Sequence, residues 1–504
     1  MGRPGPPDKT RGMPNTSRTA VLALSALTLA SFALTAAPPA GARPAAPLSW
    51  QACPGAGVDP RQQCATLQVP LDHSRPRGEQ ITLAVSRVAS ARPGLRRGVL
   101  LMIPGGPGGS GVNGPSGALK RLPQSVLDAY DVVGFDPRGV GRSTPVDCRL
   151  AHGDLAMVNL RPWPAPDGSI TVNTATAARV ADACVRNGGP VLRSISTANE
   201  ARDIDRIRQA LGERKLSAWG VSYGTYAGAV YATMFPQRTD RIVLDSNDDP
   251  DPTRVERGWL ANFAVGAEDR FPDFAAWAAR PGRYRIADSP EEVRTAFLDL
   301  AARLDRQPVP WPGANPAELN GNVLRETMIE SLYDDERFPA LAELMLAGLG
   351  ARPLPAPSAP PEEVLQNSIA VSVGTLCNDV AWPRSTAAYA RSSAADRAAH
   401  PLTAGMPANI MPCAFWPAGP AEPPVRVTPD GPSNILMVQN LRDPATPYSG
   451  ALRLRRAFGD RARMVAVDSG GHDAYVANGN ACGDALVTEF LVTGRRVGAD
   501  TRCP

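Results

Sequence analysis

The stretch that decides the fold is KLSAWGVSYGTYAG, residues 215–228. Its first half is an apolar run typical of a buried strand, and small residues typical of a closely packed helix follow. The turn between them reads Gly-x-Ser-x-Gly, the nucleophile-elbow pattern, whose glycines let strand and helix approach each other. The alternative is a serine in an ordinary tight turn. Because strand and helix signals flank the turn, we predict that Ser222 is a nucleophile.

Apolar strand-like runs alternate with amphipathic helical segments on both sides of this stretch. The predicted strands cover 98–105, 131–136, 216–222, 241–246, 434–440 and 463–468. Helices are predicted over 198–212 and 450–458. This alternation is typical of a mainly parallel sheet with helices on both faces, so we predict an α/β fold.

After the strand at 241–246, helices and loops replace the alternating pattern. The clearest helix covers 289–304, where Ser289 and Glu292 form a capping box. A proline-rich, exposed connection is predicted over 351–363. We therefore predict that a helical cap interrupts one α/β domain. The predicted boundaries are 1–42 for a signal peptide, 43–248 for the first part of the core, 249–375 for the cap and 376–504 for the C-terminal part of the core.

A serine nucleophile needs a histidine base oriented by a carboxylate, and in this type of fold the acid precedes the histidine. His472 directly follows the last predicted strand, in VDSGGHDAY, whereas His400 lies in RAAHPLT, typical of a surface loop. The preceding strand leads to Asp443, 29 residues before the histidine (472 − 443). Asp443 could instead cap a turn, and Asp468 and Asp473 are alternative acids. The order of elements favours Asp443 and His472 as partners of the elbow serine.

The tetrahedral intermediate of acyl transfer needs backbone N–H donors. One predicted donor is Tyr223, the residue after the nucleophile. The other is Gly106, in the glycine-rich loop IPGGPGGSG at 103–111. The alternative, a phosphate-binding loop, requires G-x-x-x-x-G-K-[ST] or G-x-G-x-x-G, and neither pattern occurs there.

The N-terminus is typical of an exported protein. Arg11 and Arg18 precede an apolar run over 20–37, and the small residues at 40–42 predict cleavage of a signal peptide after them. The alternative is a membrane anchor, but the run is short and rich in Ala, Ser and Thr. We therefore predict a secreted, extracellular protein without membrane association after cleavage. Translation from Met13 is a second possible start.

Composition and cysteine content limit the classes of partner and cofactor. The 504-residue chain carries a net charge of only +4, which argues against a nucleic-acid partner. Eight cysteines in an exported chain predict disulfides, and the absence of C-x-x-C spacing argues against zinc. We predict no metal and no organic cofactor. Because each sequential pair closes a local loop, the predicted disulfides are 53–64, 148–184, 377–413 and 482–503.

Several segments together resemble the secreted tripeptidyl-aminopeptidase and prolyl-aminopeptidase family of α/β-hydrolases. They include PGGPGGSG, DVVGFDPRGVGRSTPVDC, LCNDVAWP, NILMVQNLRDPATP and GGHDAY, and the resemblance spans roughly residues 67–503. It implies the triad Ser222, Asp443 and His472, with the amides of Gly106 and Tyr223 as oxyanion donors. It also implies a peptide substrate and a secreted serine exopeptidase that cleaves at free N-termini through an acyl-enzyme.

Three places depart from the family pattern and leave substrate preference open: SNDDP at 246–250, Trp219 and Asp473. An aminopeptidase also needs a carboxylate for the substrate's ammonium group. Asp379 is the first candidate, and Asp248 and Asp249 are the second choices. For each of the three, a purely structural role is the alternative.

Two other functions fit the same residues. An esterase or acyl hydrolase uses the same triad, because one scaffold hosts both amide and ester chemistry. A binding protein that kept the fold and lost catalysis is the second, although complete retention of the catalytic residue types argues against it. The number of residues released and the oligomeric state are not predicted.

Overall fold

A ten-stranded sheet runs through the computed structural model, which describes Gly2, Gly5 and residues 48–255 and 258–504. The predicted signal peptide therefore lies outside the described residues, apart from those two glycines. The strands are β1 (Gln51–Ala52), β2 (Gln63–Pro70), β3 (Gln80–Val88), β4 (Gly98–Ile103), β5 (Tyr130–Phe135), β6 (Leu216–Val221), β7 (Thr239–Asp245), β8 (Val309–Pro310), β9 (Glu318–Leu319), β10 (Ile435–Arg442), β11 (Ala462–Gly470) and β12 (Thr501–Cys503).

The sheet is mainly parallel, as predicted. Its order is β1-β2-β3-β5-β4-β6-β7-β10-β11-β12, and every pair from β5 to β12 along this order is parallel. The pairs of β1 with β2, β2 with β3 and β3 with β5 are antiparallel. The six predicted strands are all present, whereas β1–β3 and β12 were not predicted. Strands β8 and β9 form a separate hairpin.

The described helices are α1 (Gly114–Arg121), α2 (Gln124–Ala129), α3 (Met157–Leu160), α4 (Thr171–Asn187), α5 (Gly189–Ser194), α6 (Thr197–Ala210), α7 (Tyr223–Met234), α8 (Pro252–Val255), α9 (Asn262–Ala278), α10 (Pro290–Arg306), α11 (Gly321–Ser331), α12 (Phe338–Gly348), α13 (Glu362–Asp379), α14 (Thr386–Ala399), α15 (Tyr448–Phe458) and α16 (Ala481–Thr493). Short 3-10 turns connect several of them. The predicted helices correspond to α6, α10 and α15, and the capping box at Ser289 is present. Among the described helices, none combines the length and apolar character that a membrane span requires.

Helices cover both faces of the sheet. On one face α6, α7 and α15 bury Ile204, Tyr226 and Leu454 against the strands. On the other face α2 and α16 bury Val126 and Phe490. The strand segments between them are largely buried and mainly apolar, as expected for strands covered on both sides.

A second hydrophobic core is built from helices, most of them in the segment between β7 and β10. It combines Phe271 of α9, Phe297 of α10 and Met345 of α12 with Val180 of α4 and Leu192 of α5. The helical layer therefore draws on the segment between β5 and β6 as well as on the predicted insertion. A boundary at 375 falls inside α13, so we propose that the cap extends through this helix.

The four predicted disulfides are all present. They join Cys53 to Cys64, Cys148 to Cys184, Cys377 to Cys413 and Cys482 to Cys503. Each closes a local loop, as the sequence spacing indicated.

A buried ion pair joins the loop after β5 to α6. The Arg138 guanidinium donates to both carboxylate oxygens of Asp203, each at 2.7 Å, and the two side chains are almost inaccessible to solvent. His73 contacts the same carboxylate at 2.8 Å. Burial raises the pKa of Asp203, but Arg138 and His73 together hold that pKa below its usual value.

We expect Asp203→Asn to destabilise the protein strongly, because it leaves the Arg138 charge buried without a counter-ion. Losing one partner of a buried pair costs about 3–5 kcal/mol. Urea unfolding monitored by tryptophan fluorescence measures the change. The control is Asp72→Asn, which removes an exposed pair with Arg75 and should leave the midpoint nearly unchanged. Equal midpoints for the two variants would show that the buried pair is not needed.

Candidate active site

The turn at Ser222 holds this residue in a backbone conformation that few residues other than glycine adopt. Its φ is 56° and its ψ is −130°, between the end of β6 and the start of α7. A Cβ on Gly220 would lie 2.3 Å from the carbonyl oxygen of Gly224, and a Cβ on Gly224 would lie 2.3 Å from that of Ile103. Both glycines are therefore required by close backbone packing, which is what the elbow pattern predicts.

Asp443 and His472 come together at the ends of β10 and β11. The Nδ1 atom of His472 lies 3.0 Å from both carboxylate oxygens of Asp443. The same carboxylate accepts N–H bonds from Ala445 and Thr446, each at 2.9 Å, and the Thr446 hydroxyl at 3.0 Å. The imidazole is thus held in the orientation that leaves Nε2 available on its other side.

The alternative acids and base lie elsewhere or make other contacts. Asp468 pairs with Arg442 and Arg502, each at 2.8 Å or less. His400, which directly follows α14, contacts Asp396 of that helix. Asp473 does approach His472, but its Oδ1 lies 3.7 Å from Nε2, on the side opposite Asp443.

The surrounding carboxylates change the titration of the imidazole. Burial lowers the pKa of His472, but the charges of Asp443, Asp473 and Asp245 outweigh burial and raise that pKa to about 9. Burial has the opposite effect on Asp443 and raises its pKa. The facing imidazole and the hydrogen bonds to this carboxylate outweigh burial and hold the pKa of Asp443 below its usual value.

The loop after β11 that carries His472, called the histidine loop below, is hydrogen-bonded to the end of β7. The buried Asp245 carboxylate accepts the backbone N–H groups of Ala474 and Tyr475 at 2.8 and 2.9 Å. Trp219 donates its indole N–H to the same carboxylate at 3.4 Å and contacts the Tyr475 ring edge-on. The Ser246 hydroxyl accepts the N–H of Asp473 at 2.8 Å. Trp219, Ser246 and Asp473 therefore lie close to one another around the histidine loop.

The glycine-rich loop after β4 packs directly on the nucleophile turn. A Cβ on Gly105 would lie 2.9 Å from the Cβ of Ser222, so only glycine fits there. Gly106 follows with φ +126°. Asp136, at the end of β5, anchors the loop by accepting the Ser110 hydroxyl at 2.6 Å and the next two backbone N–H groups at 3.0 Å. This anchoring holds the preceding residue Gly106 beside the serine, where its backbone N–H suits an oxyanion hole.

A cavity of about 440 Å³ opens above these residues. Its lining includes Ser222, His472, Gly106 and Thr446 from the loops at the sheet edge, and Arg161, Trp259, Glu330, Tyr333, Arg337 and Ser372 from the helical layer. Three carboxylates among the described residues line it, those of Asp248, Glu330 and Asp473. The arrangement can hold an extended acyl chain against the serine.

Comparisons with known proteins agree with this geometry. A family profile described as "alpha/beta hydrolase fold" matches residues 98–305, and one described as "TAP-like protein" matches 399–503. The tripeptidyl aminopeptidase of Streptomyces lividans is 34% identical over 472 residues, covering 90% of this chain and 86% of that protein. The chain belongs to the tripeptidyl aminopeptidase family of α/β-hydrolases. It is a serine hydrolase of the α/β-hydrolase type.

Other members of the family carry different names. Serine protease Hip1 of Mycobacterium tuberculosis is 29% identical over 91% of each chain. A protein named carboxylesterase B, from the same organism, is 31% identical over 96% of each chain. The family relationship therefore establishes the fold and the serine hydrolase class. It does not establish the substrate, which has to be inferred from the residues of the site.

Asp379, predicted to bind the substrate's ammonium group, lies behind the Tyr223 side chain. Its carboxylate accepts the Thr197 N–H at 3.0 Å and the Thr197 hydroxyl at 2.5 Å, and that hydroxyl also contacts the Tyr223 hydroxyl at 2.5 Å. It lines a second cavity of about 280 Å³ and is not among the described residues that line the Ser222 cavity. Its role in amine recognition stays a prediction.

The sequence did not indicate two residues that support the site. Tyr333 lies after α11 in the helical layer, where its carbonyl accepts the N–H of His472 at 2.8 Å and its ring meets the imidazole edge-on. This contact joins residues 139 positions apart (472 − 333), and no local pattern encodes it. Asp136 ends a predicted strand beside the glycine-rich loop, so strand order could have suggested its position.

We expect His472 to titrate with a pKa near 9 and Asp473→Asn to lower this value, because the variant removes a negative charge beside Nε2. NMR of the four histidines over pH 5–10 measures the titration. Since the folded-state pKa exceeds the ordinary 6.5, the stabilisation from this charge is complete below pH 6.5 and is lost as pH rises through 9. Asp468→Asn is the control and should leave the titration unchanged. An unaltered pKa in Asp473→Asn would contradict the proposed electrostatic coupling.

Proposed function

We propose that the protein is a secreted serine exopeptidase that releases short peptides from free N-termini, of the tripeptidyl aminopeptidase type. Ser222 is the nucleophile, His472 the general base and acid, and Asp443 the residue that orients the imidazole. The N–H groups of Gly106 and Tyr223 bind the oxyanion. The observation that carries this proposal is the contact of His472 Nδ1 with both oxygens of Asp443, beside a cavity that Ser222 lines.

The reaction follows from these positions in two acyl-transfer steps. His472 Nε2 takes the proton of the Ser222 hydroxyl as its oxygen attacks the scissile carbonyl, and then gives that proton to the leaving amine. The negative charge of the tetrahedral intermediate is stabilised by the two backbone donors. In the second step His472 activates a water that hydrolyses the acyl-enzyme and regenerates the serine. The peptide that leaves in this step is the N-terminal fragment of the substrate.

The helical layer supports the proposal of exopeptidase specificity. Residues from α11 and its neighbours close one side of the cavity over the serine, and Glu330 contributes a carboxylate there. A closed wall that carries a carboxylate suits a substrate that ends in an ammonium group near the cleavage site. Glu330 is itself held by Arg161 at 2.7 Å, so a bound ammonium would share this carboxylate with the guanidinium.

Export is proposed on two grounds. The segment 1–42 has the charge and apolar pattern of a signal peptide. Four disulfides, with every described cysteine paired, suit an oxidising compartment. Cell fractionation with N-terminal sequencing of the mature protein tests the proposal, and a cytoplasmic, uncleaved chain would contradict it.

Esterase activity is the second candidate function, favoured by the 31% identity to carboxylesterase B. The Ser222 cavity is compatible with either an ester or a peptide, because both reactions pass through the same tetrahedral intermediate. The two candidates differ in whether a free ammonium group on the acyl side accelerates the reaction.

We expect the purified mature protein to cleave chromogenic peptides with free N-termini much faster than their acetylated counterparts. Peptides of one to four residues should be compared, and the best length gives the number of residues released. Ser222→Ala should lower kcat by about 10⁴-fold or more and abolish labelling by a fluorophosphonate.

Thr327→Ala is a suitable control, because Thr327 bonds only to its own helix and is not among the described residues lining the cavity. Equal cleavage of free and acetylated peptides, or hydrolysis of simple esters alone, would refute the exopeptidase proposal and favour the esterase. A wild-type protein that the fluorophosphonate does not label would favour a non-catalytic binding protein.

A further inference from the structure

The buried carboxyl group of Asp248 lines the active-site cavity. Asp248 follows β7, is only 5% exposed, and lines the cavity together with Ser222 and His472. Its backbone N–H donates to the Thr225 hydroxyl at 3.0 Å. Among the described residues its carboxyl group makes no hydrogen bond or ion pair. The neighbouring Asp249, by contrast, is paired with Arg453.

A buried carboxyl group without a hydrogen bond lowers the stability of the folded protein unless a ligand binds to it. Burying a polar group without a hydrogen bond costs several kcal/mol, and a charged group costs more. Burial is the main cause that raises the pKa of Asp248 to about 7; His472 partly offsets burial, and the nearby Asp443 and Asp249 add to it. A substantial part of the molecules therefore carries a charged Asp248 at neutral pH, and a bound cation would favour this form.

The two arginines of the cavity do not supply that cation. The Arg161 guanidinium pairs with Glu326 and Glu330. Arg337 lies 3.6 Å from Glu330 and donates to its backbone carbonyl. Both arginines are thus engaged with acids of α11. The His472 imidazole attracts the Asp248 carboxylate, but among the described residues it makes no ion pair with it.

The position of Asp248 restricts which part of a substrate can reach it. Ser246 binds the backbone of the histidine loop, so the segment from 246 to 248 lies close to the imidazole. A peptide extends by about 3.3–3.6 Å per residue, so the ammonium group of a bound tripeptide lies roughly 10 Å from the scissile carbonyl. The Thr225 hydroxyl accepts the Asp248 N–H and donates to the Ser222 carbonyl, so Asp248 lies next to the nucleophile turn. This placement suits the residue at the scissile bond rather than the N-terminus of a tripeptide.

We propose that Asp248 binds a cationic group on the substrate residue whose carbonyl Ser222 attacks. The cation is either a lysine or arginine side chain of that residue or, in a single-residue substrate, its own ammonium group. The inference rests on the proposed function, and it assigns a specificity role to a residue that lies in the segment where this chain departs from its family.

The test compares substrates that differ in one charge. Free-N-terminal tripeptide p-nitroanilides with lysine, arginine or norleucine at the cleaved bond are offered to wild type and Asp248→Asn. Wild type should prefer lysine and arginine over norleucine by about 10- to 100-fold in kcat/KM, as a hydrogen bond between charged groups predicts. Asp248→Asn should lose this preference while its kcat/KM for norleucine changes little.

A second set of substrates separates the two sources of the cation. Leucine p-nitroanilide is offered free and acetylated, and a loss in Asp248→Asn confined to the free form assigns the site to the ammonium group. A loss confined to lysine and arginine substrates assigns it to the side chain. Equal loss on all substrates, or no change on any, overturns the proposal.

Two further variants check the interpretation. Asp251→Asn makes the same charge change three residues later, outside the described lining of the cavity, and should keep the preference. Asp248→Glu retains the carboxylate and should keep a preference for cations. The rate of fluorophosphonate labelling shows for each variant that Ser222 is still assembled.

The test remains decisive if the protein proves not to be an exopeptidase. The same comparison then uses 4-nitrophenyl esters of N-acetyl-lysine and N-acetyl-norleucine, which are activated esters that need no free N-terminus. Preference for the lysine ester, lost in Asp248→Asn, supports the cation site even though the exopeptidase proposal has failed. The cation site is overturned if wild type and Asp248→Asn hydrolyse the lysine ester and the norleucine ester with the same relative rates.

Discussion

The structure depends on one close approach of backbone segments around Ser222. The positive φ of this residue requires that β6, the start of α7 and the loop after β4 pass within van der Waals distance of one another, which only glycines at 105, 220 and 224 permit. A side chain at any of these positions would push the segments apart. The serine, the helix N-terminus beneath it and the glycine-rich loop therefore occupy fixed relative positions.

The parallel sheet extends this constraint to the rest of the site. Because parallel strands end at one edge, the loops after β4, β6, β7, β10 and β11 meet there, and each contributes one part of the site. The segments join through buried contacts, such as those of Asp245 with the histidine loop and Asp136 with the glycine-rich loop. The helical layer adds Tyr333, which supports His472 from above.

Much of this arrangement could be predicted from the sequence, because local patterns encode it. The buried strands are continuous apolar runs, the elbow has its glycines, and the order of serine, acid and histidine follows the strand order. Strand β2 was not predicted, because its burial alternates near the antiparallel edge of the sheet, which gives a weaker signal than a fully apolar run. The neighbouring β3, QITLAVSRV, was missed because polar residues interrupt its apolar ones. The contact of Tyr333 with His472 and the lone carboxyl of Asp248 could not be predicted, since both depend on how distant segments pack.

In the proposed reaction, Ser222 carries the N-terminal fragment of a peptide as a covalent acyl group. Rapid acid quenching of the protein with an unblocked peptide of known sequence, followed by peptide mapping with mass spectrometry, detects this intermediate directly. We expect an adduct on Ser222 whose mass equals that of the N-terminal residues of the peptide. An adduct on another residue, or one on Ser222 that carries an internal fragment, would contradict it.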